Sequence, residues 1–89
     1  MQEKSTTIIN KLGLHARAAG KLVETTSRFS CDITIEKEGR NVDGKSIMAM
    51  MMLAAGKGTD IIIKTNGDDE EDALNAVIEL IHNRFGEDE

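Results

Sequence analysis

Proline, tryptophan and tyrosine are absent from this 89-residue chain, and its aromatic side chains are two phenylalanines. With a formal net charge of −5 as well, it has neither the basic face nor the stacking groups of a nucleic-acid binder, so nucleic acid is not an expected partner. The one cysteine, Cys31, cannot close an intramolecular disulfide. That excludes a disulfide scaffold and fits a reducing cytoplasm. Apolar runs such as residues 47–55 stop far short of a membrane span, and residues 1–5 are polar, so neither a transmembrane helix nor a signal peptide is expected. His15, Cys31 and His82 have no recognised ligand spacing, and no metal or cofactor is expected.

What is present is enough for a single domain over residues 1–89, with one two-layer core as the ceiling for so short a chain. Residues 5–10 are a β-branched run that reads as a strand. Residues 16–27 place Ala19, Leu22, Val23 and Thr26 on one helical face and Arg17, Lys21, Glu24 and Arg28 on the other. Cys31, Ile33 and Ile35 alternate with polar residues in a second strand over residues 31–36, whose outer face bears Thr34 and Glu36. Cys31 on that inner face reads as a small core residue. A loop over residues 37–40, with Gly39 at positive φ, leads to a short return strand at residues 41–42.

Ser46 then caps a short helix from Ile47 to Leu53 or Ala55, with the Gly56-Lys57-Gly58 sequence as its terminator. Residues 59–65 are the clearest strand, because Ile61, Ile62 and Ile63 are β-branched and Asn66-Gly67 follows as a turn. The acidic run at residues 68–72 opens the last helix, where carboxylates complement the helix dipole rather than mark a metal site. Leu74, Val77, Ile78, Ile81 and Phe85 form its inward stripe. The order βαββαβα predicts an α+β open-faced β-sandwich: a four-stranded antiparallel sheet with three helices on one face.

The candidate site is the stretch Gly13-Leu14-His15-Ala16-Arg17-Ala18-Ala19-Gly20, a glycine turn that delivers His15 to the start of a helix. Unpaired amides and the helix dipole favour an anion there, with His15 as nucleophile and Arg17 as a charge-assisted donor to a phosphoryl group. Spacing alone leaves open a capping or surface histidine beside a solvated arginine.

The full string Gly-Leu-His-Ala-Arg-Ala-Ala-x-x-Leu, with Gly-Lys-Ser-Ile-Met and Leu-Ala-Ala-Gly-Lys-Gly downstream, resembles the HPr family. These are the histidine-containing phosphocarriers of the bacterial phosphoenolpyruvate-dependent phosphotransferase system and their nitrogen-branch relatives. The resemblance runs from about Ser5 to Phe85. It implies the same βαββαβα sandwich. It also implies that His15 accepts a phosphoryl group on Nδ1 from phosphorylated enzyme I and passes it to an enzyme IIA, with Arg17 steadying the phosphate. The expected molecule is a monomeric carrier, not an enzyme. In many members a proline follows the active-site arginine; here it is Ala18, which gives the first turn a donor and less stiffness.

By the same resemblance Ser46 is a phosphorylation site for a dedicated serine kinase/phosphorylase, and Ala16, Gly20, Ile47, Met48 and Met51 belong to a partner-docking face. Four of the five methionines lie in this one short helix, with Met50 and Leu53 expected in the core. Flexible thioethers suit a surface that meets several partners. Arg17, Lys21 and Lys45 form a thin basic rim, since Glu24 and Ser27 stand where some sugar-branch members have lysines. His82 reads as a surface histidine. The alternative function is a regulatory binding module in which phosphorylation only changes which proteins dock.

Overall fold

Alternation along residues 60–66 sets the frame. In β4 (Asp60–Asn66), Ile61, Ile63 and Thr65 are buried on one face while Asp60, Ile62, Lys64 and Asn66 point the other way. The computed structural model describes residues 1–89. Its remaining elements are β1 (Gln2–Thr7), α1 (Ala16–Thr26), β2 (Asp32–Lys37), β3 (Arg40–Asp43), α2 (Ile47–Met52) and α3 (Glu70–His82), followed by a 3-10 turn at Arg84–Gly86. The strands form one antiparallel sheet in the order β1-β4-β2-β3. This is the expected open-faced sandwich.

Register places Ile35 opposite both Ile63 and Val42, so three strands contribute to one apolar face. Leu22 of α1, Met50 of α2, and Val77 and Ile81 of α3 are buried in the same core cluster. Phe85 completes it, fully buried. The outer sheet face is less open than the alternation implies: Thr34 and Glu36 are half-buried, and Glu36 pairs with Lys64 at 2.5 Å.

Several boundaries differ from the sequence expectation, each for a physical reason. The first strand runs over Gln2–Thr7 instead of residues 5–10, because its polar residues are ordered by pairing with β4, from Gln2 opposite Thr65 to Thr7 opposite Asp60. Beyond it, Ile8 still exchanges backbone hydrogen bonds with Gly58 and Thr59 as the chain leaves the ladder. The loop between β2 and β3 is only Glu38-Gly39, both at positive φ (51° and 82°), as a tight hairpin requires.

α2 ends at Met52, and Ala54 rather than a glycine adopts the left-handed conformation, φ 55°. Lys37 Nζ donates to the carbonyls of Leu53 and Ala54, satisfying two groups that the helix leaves unpaired. At the last helix, Asp68 and Asp69 precede the first turn, which keeps Glu70, Glu71 and Asp72. Asp69 instead accepts from the backbone amides of Ser30 and Cys31, at 2.8 and 2.9 Å. Cys31 therefore lies just outside β2, buried and held by α3's entry. Phe85 belongs to the 3-10 turn, with φ 54°, rather than to the helical stripe.

Candidate functional site

The turn before α1 is built by Asn10 and Gly13. Asn10 accepts from the Gly13 amide through its carbonyl and donates from Nδ2 to the Gly13 carbonyl at 2.8 Å. Gly13 has φ 66°, and a Cβ there would lie 2.5 Å from the Ala55 carbonyl oxygen, so both conformation and space demand glycine. Leu14 is buried and donates to that same Ala55 carbonyl at 2.9 Å, which ties the turn to the segment following α2.

His15 is the N-cap of α1, extended at φ −73° and ψ 177°, and its carbonyl accepts the first helical bond from Ala19. Its side chain makes no capping bond. The ring turns instead toward the carboxyl-terminal residues, with Nε2 2.5 Å from Glu87 Oε2. Glu87 Oε1 accepts from Asn10 Nδ2 at 2.9 Å. The Asn10 amide foremost, with the His15 ring and the nearby Arg17 charge, holds the Glu87 carboxyl below the usual range; burial opposes this.

Arg17 is exposed on the same cleft, and no ion pair claims its guanidinium. The cleft, about 520 Å³, is open and mainly polar, lined by Lys11, Leu12, His15, Arg17 and residues 86–89. Lys11 holds the tail from the other side: its amide donates to the Glu89 carbonyl at 2.9 Å and its ammonium pairs with the Glu89 carboxylate at 3.3 Å. Such a shallow polar surface offers a reactive ring edge and a free cation, and no enclosure for a small substrate.

Of the basic rim read from the sequence, only Arg17 is free. Lys21 Nζ donates to the Phe85 carbonyl at 2.8 Å and Lys45 Nζ to the Phe29 carbonyl at 2.7 Å. Ala18, in place of the common proline, is fully buried under the first turn. Ser46 is the N-cap of α2, half-buried, accepting from the Ala49 amide at 3.2 Å.

α2 packs beside α1, with Met50 and Leu53 buried as expected. Ile47, Met48 and Met51 are exposed, Met48 by 73%, and so is Ala16; Gly20 is half-buried with open space above it. Met52 and Leu12 are also exposed, beyond the residues expected from the sequence. His15, Cys31 and His82 lie apart: His15 faces the cleft, Cys31 sits against Asp69, and His82 approaches Thr6 Oγ1 at 3.2 Å.

Two site residues went unread in the sequence, Asn10 and Glu87. The usable signal was faint: a phenylalanine and a glycine just ahead of Glu87, able to anchor the chain and turn it back. An acidic terminus otherwise looks like a solvated tail.

An open-faced sandwich that presents a histidine and an arginine together at a helix start, on an open cleft, is the class that the fold and the site define. The comparisons give the class a family. Residues 2–83 match the model for the PTS HPr component phosphorylation site. The chain is 60% identical over 87 residues to phosphocarrier protein HPr of Pseudomonas aeruginosa, covering 93% of each chain. It is 52% identical to that of Cupriavidus necator, covering 100% of both. The crystal structure of an HPr from Thermoanaerobacter tengcongensis superimposes with a TM-score of 0.97 at 44% identity over 100% of both chains. The chain belongs to the HPr family.

Proposed function

We propose that this protein is a phosphocarrier in which His15 Nδ1 takes a phosphoryl group from phosphorylated enzyme I and delivers it to an enzyme IIA of the phosphotransferase system. The observation that carries the reading is the His15 ring itself: Nε2 is engaged by Glu87, while the ring shares an open cleft with the unpaired Arg17. In uptake the Nδ1 lone pair attacks phosphorus, an N–P bond forms and the bond from phosphorus to the donor's nitrogen breaks; in delivery the acceptor's nitrogen attacks phosphorus, the Nδ1–P bond breaks and its electron pair returns to Nδ1. The phosphoryl group arrives as a dianion. Arg17 supplies charge-assisted donors to its oxygens, and the amides and dipole of the α1 start stabilise it further.

Ala16, Gly20, Ile47, Met48 and Met51 form the docking face next to the histidine, an apolar surface whose thioethers suit more than one partner. Ser46 lies at the start of α2 beside that face, and its phosphorylation by a serine kinase/phosphorylase would place a dianion there. The charge is tolerated by the helix end and opposes an acidic partner. The carrier works as a monomer in the cytoplasm, a setting that the unpaired buried Cys31 suits and that the family role requires.

The test is incubation with phosphoenolpyruvate, magnesium and enzyme I. An acid-labile adduct that disappears in His15→Ala supports the carrier; its absence from the unaltered protein overturns it. For Ser46, phosphate on that residue after treatment with the kinase and ATP is the expected result, and none at all would leave Ser46 as a cap alone.

A further inference from the structure

We propose that Asn10 and Glu87 are a positioning pair that keeps the proton of the neutral His15 ring on Nε2, so that Nδ1 is left as the acceptor nitrogen. Asn10 fixes the orientation of the pair. Its Nδ2 faces two oxygens, the Gly13 carbonyl at 2.8 Å and Glu87 Oε1 at 2.9 Å. Both neighbours are acceptors, so the amide can face them only with its NH2 group; the flipped orientation would set three oxygens together. Asn10 is fully buried and its own Oδ1 has no partner. A side chain in that position is held by the two bonds it donates and has no competing role to turn toward.

Glu87 then passes the constraint to the ring. An ionised carboxylate only accepts hydrogen bonds, so the nitrogen beside its second oxygen must carry a hydrogen. In a neutral imidazole this leaves the lone pair on Nδ1. The carboxylate is in no position to drift, since its side chain is only 11% exposed. On one side Phe85 is sunk in the core and its carbonyl is held by Lys21; on the other, Glu89 is bonded to Lys11. The carboxylate remains beside Nε2–H after phosphorylation and offsets positive charge on the ring.

This inference builds on the Nδ1 reading above, and its test can be read without any phosphoryl transfer. In Glu87→Gln, Asn10 must still donate, so it claims the new amide's oxygen and turns the NH2 group toward His15. Nε2 then has to accept, and the proton moves to Nδ1. Imidazole 15N spectra of the neutral ring in the full-length protein should show Nε2 protonated in the unaltered chain, the reverse pattern in Glu87→Gln, and a mixture in Glu87→Ala.

Phosphoryl uptake from enzyme I should fall roughly tenfold in Glu87→Gln if about a tenth of the rings retain the acceptor tautomer. The double variant Asn10→Ala/Glu87→Gln, in which the amide is free to rotate, should recover part of the original nitrogen pattern. Unchanged nitrogen shifts in both Glu87→Gln and Glu87→Ala would overturn the proposal. Failure of the carrier reading is a separate result: a normal tautomer pattern in a protein that never acquires phosphate on His15.

Discussion

The Lys21 ammonium on α1 donates to the Phe85 carbonyl at 2.8 Å, across 64 residues of sequence, and so fastens the carboxyl-terminal turn to the helix that begins at His15. Phe85 sits beneath this bond with no exposed surface. The tail is part of the site because its anchor is part of the core.

Phe85→Ala is therefore expected to act twice. Removing a fully buried phenylalanine costs about 3–5 kcal/mol of stability, measurable by urea denaturation. In the molecules that stay folded, the tail should also lose its hold, with faster amide exchange at residues 86–89 than in the unaltered protein. A fall in stability with undisturbed exchange at the tail would show that the anchor is not Phe85.

Asp69 gives a pH dependence. Its carboxyl is held below the usual range, first by the Ser30 amide and then by bonds from Cys31, against a smaller opposing effect of burial. A depressed folded pKa contributes stability that is present above the unfolded value and is lost as pH falls through the folded one. Asp69→Asn should remove this contribution, so the variant's stability should fall less steeply on acidification than that of the unaltered protein. Parallel acid limbs in thermal melts would contradict the assignment.

Cys31 runs the other way. Burial first, then the hydrogen bond and charge of Asp69, push its thiol up to about 11. Because the raised form is the protonated one, this stabilisation is present below the unfolded pKa and is lost as pH rises through the folded value. At pH 8 the native thiol should react with a disulfide reagent far more slowly than the same protein in denaturant, where the thiol regains an ordinary pKa of about 8.5. Equal rates would mean that the thiol is exposed in the native state.

Much of this was legible in the sequence, and the exceptions have a common physical source. Alternation in residues 61–65 and at Ile33 and Ile35, the stripe from Leu74 to Ile81 and the glycine turn at Gly13 each name a buried face or a backbone demand, and the structure realises them. β1 was misplaced because an edge strand of polar residues is ordered by its partner's hydrogen bonds and has no hydrophobic pattern of its own. Lys21 and Lys45 read as a free rim, because a sequence does not show which carbonyls lie within reach of a long side chain. At the site, His15, Arg17 and Ser46 carry a motif, whereas Asn10 and Glu87 meet only through folding, 77 residues apart.

The phosphorylated protein itself gives the decisive measurement. After reaction with phosphoenolpyruvate, magnesium and enzyme I, the protein should carry one added phosphoryl group, acid-labile, coupled in 31P and 15N spectra to His15 Nδ1 and missing in His15→Ala. Phosphate that persists in His15→Ala, or that is bound to Nε2, would contradict this.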